Sequence, residues 1–198
     1  MQKATRLIIL LPIIFMSQLI SGDAVDHWAD HYLTPLDSTQ ISVQFLYRVV
    51  NDFSEYNLPG SLIVGENRSK FRYTLGPKTT LFDGTDWLLF DDRTNQVIIE
   101  SGNGRPMMMI PQWVVPDSVK TLNRSPGSSP MECMIYLPEV SDSVIVQFSQ
   151  ADSSLEKITF KYEMSEVWIT DILLTVPDRD TDWFSLDTTG KYILDLRE

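Results

Sequence analysis

His27 and His31 stand four residues apart, as do Asp26 and Asp30, and that spacing lets two imidazoles on one helix face reach a single metal ion. Neither the glutamate base nor the third ligand of a metalloprotease signature accompanies them, so the pattern reads as a solvated helix face and no metal is expected. Asp178, Asp180 and Asp182 imitate the start of a calcium loop but lack the glycine and distal glutamate that complete one. The chain has no nucleophile elbow and no phosphate-cradling glycine loop. Its 2 histidines are the N-terminal pair, so a Ser-His or Cys-His site would have to borrow a base from that helix. The residues point away from an enzyme, and no cofactor is expected.

The elements that hold these residues are mostly strands. Pro59 to Glu100 breaks into short strand-prone runs separated by turn chemistry at Pro59-Gly60, Glu66-Asn67, Gly76-Pro77, Asp83-Gly84 and Asp91 to Asn95. Links this short join antiparallel neighbours, because a parallel pair needs a crossover of about a dozen residues or more. Phe71, Tyr73 and Leu75 alternate with Lys70, Arg72 and Thr74, giving one apolar and one wet face. Trp87 to Phe90 is apolar on both faces and must be covered.

Around this meander, Val25, Trp28, Ala29 and Tyr32 fall at helical spacing, with Thr34-Pro35 ending the run. Gln40 to Val50 reads as the longest clean strand, and the polar stretch Asn51 to Pro59 as a long hairpin loop. From Ser101 to Pro130 the prolines and glycines forbid long elements, although Asp117 to Leu122 suits a short helix. Met107, Met108, Met109, Ile110, Trp113, Val114 and Val115 lie in that stretch, as either a core plug or a mobile lid over a cavity. Further strands are expected at Val144 to Phe148, Ile158 to Tyr162, Val167 to Val176, Trp183 to Leu186 and Lys191 to Leu196. The fold class is mostly β, with about ten antiparallel strands, a number that curls into a barrel or splits into a sandwich.

At 198 residues the chain suits one domain, and its single Cys133 excludes an internal disulfide. Lys3 and Arg6, the apolar run Leu7 to Met16 and the small residues Ser21, Gly22 and Ala24 follow the order of a secretory signal peptide. Residues 1–24 are read as that signal and 25–198 as the mature, soluble, exported domain. No cysteine near the cut offers a lipid attachment point. Cleavage removes Lys3, Arg6 and Asp23, reducing 16 bases and 27 acids to 14 and 26, a net charge of −12. That acidity argues against nucleic acid and anionic membrane surfaces as standing partners.

Val43-Gln44-Phe45, Gly60-Ser61-Leu62-Ile63-Val64, Lys70-Phe71-Arg72-Tyr73 and Phe82-Asp83-Gly84-Thr85-Asp86-Trp87 follow one another in a characteristic order. With Leu155 to Ile158 and the closing Phe184-Ser185-Leu186 and Gly190, the chain resembles the family of periplasmic carriers of outer-membrane lipoproteins (LolA-like). Tyr47 departs from that family's glutamine, and neither its Arg-Pro nor its Pro-Pro is present. The resemblance implies a half-open antiparallel β-barrel whose concave apolar face is covered by short helices and a loop. It also implies a monomer, lipoprotein acyl chains as cargo, an inner-membrane lipoprotein-releasing transporter as donor and an outer-membrane acceptor. Phe45, Tyr47, Leu62, Val64, Phe71, Tyr73, Trp87 and Leu89 are the candidate lining, and Met107, Met108, Met109, Ile110 and Trp113 the candidate lid. A non-enzymatic lipid-sensing or structural envelope adaptor on the same fold is the alternative.

Overall fold

The structure is a computed structural model and describes residues 24–36, 39–51, 54–65, 69–102, 116–129, 131–136, 143–162 and 165–197. The expected signal peptide and the Met107–Val115 segment lie outside the described residues.

A single open sheet organises the chain. Its strands are β1 Ile41–Val50, β2 Glu55–Val64, β3 Phe71–Leu75, β4 Lys78–Phe82, β5 Asp86–Asp91, β6 Gln96–Ser101, β7 Arg124–Pro126, β8 Glu132–Tyr136, β9 Ser143–Phe148, β10 Leu155–Tyr162, β11 Ser165–Thr175 and β12 Tyr192–Asp195. They lie in the order β12-β6-β5-β4-β3-β2-β1-β11-β10-β9-β8-β7, and the two ends do not meet. This is a mostly β, half-open architecture, as expected. The meander from β2 to β6 pairs antiparallel throughout.

Several boundaries differ from the sequence reading. The polar stretch Asn51 to Pro59 is mostly strand, since β2 begins at Glu55 and pairs along its whole length with β1. Pro59 is tolerated inside β2 because its carbonyl accepts from Gly76 N at 2.9 Å. A strand residue aims its N and its C=O the same way, so the missing N–H faces the β3–β4 turn rather than β1. Ser165–Thr175, at 11 residues, is longer than β1. The short strands β7 and β8 bring the number among the described residues to twelve.

Trp183 to Leu186 forms no strand. Asp178, Asp182 and Asp187 accept from the backbone N–H two residues on, and Asp178 O takes the Trp183 indole at 2.8 Å. These carboxylates make turns, which accounts for the calcium-like spacing. Beyond them β12 pairs parallel to β6, an exception to the antiparallel expectation. The chain must cross six strands between β11 and β12. It does so on one face, where Phe184 approaches the Gly65 backbone and the Lys191 ammonium lies 4.3 Å from the Phe90 ring centroid.

The opposite face carries the helices. Helix α1, residues 24–33, widens to π pitch over Ala29–Leu33 and runs on through a 3-10 turn at Thr34–Leu36, past the proline expected to end it. Its apolar stripe of Val25, Trp28, Ala29 and Leu33 is buried with Val119 of α2, Pro116–Thr121, against Cys133, Ile135, Val144, Val146 and Phe148. Two ion pairs fasten these pieces, Asp30 to Lys120 and Asp26 to Arg124, the latter at 2.7 Å. A second core consists of Ile41, Leu62, Val64, Phe71 and Trp87, with Leu36, Val43, Tyr73, Phe82 and Leu89 packed against it.

A candidate lipid-binding face

Directly opposed residues of paired strands project from the same side of a sheet, so the register decides which side chains share a face. One row runs Ile41, Val64, Phe71, Phe82, Trp87. The next runs Val43, Leu62, Tyr73, Thr80, Leu89, Ile98. A third is Phe45, Gly60, Leu75, and a fourth is Leu58, Tyr47, Ile169, Ile158, Val146. All eight candidate lining residues therefore fall on one face, and Ile158 and Val146 place it on the side of α1.

Burial divides the eight. Leu62, Val64, Phe71 and Trp87 are 5%, 0%, 1% and 3% exposed, so their surfaces are already taken up by the second core. Phe71, Phe82 and Trp87 form an aromatic triangle there, with centroids 5.0 to 5.9 Å apart. Phe45, Tyr47, Tyr73 and Leu89 are half-buried and have surface to offer. The same face adds Leu58, Leu75, Ile98 and Ile169, also half-buried, which the sequence reading passed over. Their signal was present in the alternation, but only the pairing register joins them to the others.

Together these eight half-buried side chains lie on one apolar face from β6 to β1 and on to β11, which is the candidate groove. Five strand spacings of about 4.8 Å give the β1-to-β6 stretch a length of about 24 Å. Opposed Lys78 and Asp91 form a polar rim on β4 and β5. Inside the groove, burial and the neighbouring Tyr47 phenol push the Tyr73 hydroxyl up to about 12, so it remains a neutral hydrogen-bond donor at ordinary pH.

No family model matches the chain, and no curated protein sequence matches it. Solved structures do. An uncharacterized conserved protein from Thermus thermophilus overlays 87% of this chain and 97% of its own at 9% identity, with a TM-score of 0.51, and shows the fold. A LolA superfamily protein from Nitrosomonas europaea covers 85% and 99% at 13% identity and a TM-score of 0.40. An outer membrane lipoprotein-sorting protein domain from Vibrio parahaemolyticus covers 77% and 93% at 8% identity and a TM-score of 0.37.

The other candidate chemistries do not assemble. The His27 and His31 rings stack 5.8 Å apart and only 4° from parallel. Among the described residues no group of three His, Cys, Asp or Glu side chains could hold a metal ion. Cys133 is buried, and burial pushes its thiol up, which suppresses the nucleophilic thiolate. An open cleft of about 480 Å³ between Met131, Gln147 to Ala151 and Glu156 is lined largely by polar groups and is separate from the groove.

Proposed function

We propose that this chain is a carrier that shields the acyl chains of lipoproteins, or of another lipid, in the groove on the helix side of its sheet. The observation that carries this reading is the row of half-buried apolar side chains from Ile98 through Leu89, Tyr73 and Phe45 to Tyr47 and Ile169. A hydrocarbon chain leaves water at a gain of about 0.8 kcal/mol per methylene, so it needs a covered path between two membranes. A long, shallow, apolar trough supplies one without enclosing the cargo irreversibly. The Tyr73 hydroxyl adds a neutral donor where an ester or amide carbonyl of the cargo would sit. No bond is made or broken in this task, so it calls for no catalytic group.

The family motifs on β1 to β5 support the same reading. So does the leader-like segment 1–24, which would deliver residues 25–198 to the periplasm. In that compartment an inner-membrane lipoprotein-releasing transporter would load the carrier, which acts as a monomer, and an outer-membrane acceptor would unload it.

The test is displacement of cis-parinaric acid by palmitate from the folded protein, with micromolar affinity expected. Native mass spectrometry of protein taken from its own envelope would identify the resident lipid. A probe that binds only once urea has unfolded the chain would mean that the groove accepts no ligand, and would overturn the proposal.

A further inference from the structure

Gly60 interrupts the groove in an informative way. It lies in β2 on the helix face, opposite Phe45 of β1 and Leu75 of β3. A Cβ placed there would come within 2.1 Å of Phe45 Cε2, 2.4 Å of Cζ and 2.8 Å of Cδ2. The Phe45 ring therefore occupies the space a side chain would fill, lying down on the strand rather than standing up from it. The same ring stacks with Tyr73 at 6.2 Å and an interplanar angle of 17°. On its other side Phe45 faces a bulge, where Asp171 and Ile172 of β11 together oppose this one residue and Asp171 takes a φ of 53°.

Gly60 has no left-handed φ, so its backbone is one that alanine adopts without strain, and the three nearest atoms to an added side chain all belong to the Phe45 ring. We infer that Gly60 is a specificity-determining position: by letting Phe45 lie flat, it keeps the groove continuous between Tyr73 and Tyr47 and so admits long acyl chains. This deepens the carrier reading and rests on it. A methyl group at this site would force the ring up by more than 1 Å to reach ordinary contact near 3.4 Å, dividing the groove into two short halves.

The experiment compares palmitate with octanoate by displacement of cis-parinaric acid from wild type, Gly60→Ala and Gly60→Ala/Phe45→Ala, with the urea midpoint of each recorded. Gly60→Ala should lose about tenfold in palmitate affinity, the equivalent of some two methylenes left in water, and about twofold or less for octanoate. Removing the ring in the double variant should restore palmitate binding. If Gly60→Ala does not fold, Phe45→Trp, whose larger ring crowds the same gap, should shift the palmitate-to-octanoate ratio in the same direction. An unchanged ratio in a folded variant, beside a wild type that binds palmitate, overturns this inference alone. A wild type that binds neither fatty acid removes the carrier reading and this inference with it.

Discussion

The eight candidate lining residues divide into a buried set and a half-buried set, and the division has measurable consequences. Phe71 is 1% exposed and touches Phe82 and Trp87, so Phe71→Ala leaves a void among rings that cannot all close around it. Substitutions of that kind cost about 3 to 5 kcal/mol. With a urea m-value of about 2 kcal/mol per molar, the midpoint should fall by about 2 M. Leu89 sits two residues along β5 from Trp87 on the same face, yet it is half-buried. Its truncation gives up only part of a leucine's burial, about 1 kcal/mol, for a midpoint shift of about 0.5 M. For ligand binding the order reverses. Leu89→Ala should weaken palmitate by about tenfold, while folded Phe71→Ala should bind it within about twofold of wild type. Paired urea titrations and palmitate displacement on both variants decide the matter. Equal stability losses would make Leu89 part of a closed core, and an equal loss of binding from Phe71→Ala would show that the two sets are one; either result refutes the division.

Tyr73 provides a pH test. Its folded pKa, about 12, lies above the ordinary 10, so the stability it contributes is fully present below about pH 10 and is lost as pH rises through 12. Urea midpoints should fall between about pH 10 and pH 12 in wild type and fall less steeply in Tyr73→Phe. Arg197 joins Asp86 of β5 at 2.7 Å and holds the Asp195 carboxyl at about 2, so Arg197→Ala should speed amide exchange in β12 and leave exchange in β1 and β11 unchanged. The Cys133 thiol should resist a thiol reagent in the native protein and react at a rate that follows unfolding as urea is added; rapid native labelling would contradict its burial under α1. N-terminal sequencing of exported protein should find a start near Val25.

Much of this sheet could be read in advance because period-two alternation survives in a single chain. Phe71, Tyr73 and Leu75, and Ile41 through Val49, declare a face without any partner. Where alternation is weak, pairing decided the outcome. Glu55 to Pro59 has poor strand residues and becomes β2 because β1 offers it a full ladder. Trp183 to Leu186 looks like a strand in isolation, but the aspartates flanking it bond to nearby amides and turn the chain. The division of the lining was not legible at all. Val64 and Tyr47 belong to one face, and only the three-dimensional packing of the second cluster leaves one of them fully buried and the other half-buried. The Gly60 and Phe45 pairing was equally hidden, since nothing in either residue's neighbours along the chain announces the other.

The two cores explain how such a groove can stay open. A sheet of this size ordinarily closes or stacks to bury its apolar face, and an exposed apolar surface costs stability unless other burial offsets it. Here α1 and α2 pack on β8 to β11, and a second cluster of Ile41, Leu62, Val64, Phe71 and Trp87 gathers on β1 to β5 with Leu36 against it, so full burial is concentrated at two places. The Phe184 and Lys191 contacts bring the C-terminal crossing onto the other face, over Gly65 and Phe90. On the proposed carrier reading, the fully buried side chains of the two cores would supply most of the stability. Phe45, Tyr47, Tyr73 and Leu89 are only half-buried, and Tyr73 and Leu89 also pack against the second core, so on the carrier reading proposed above these side chains would gain contacts from the cargo beyond those they already make. A carrier of the proposed kind would need most of its stability to lie in those cores, because a groove that alone held the fold together could not release its cargo without loosening the protein.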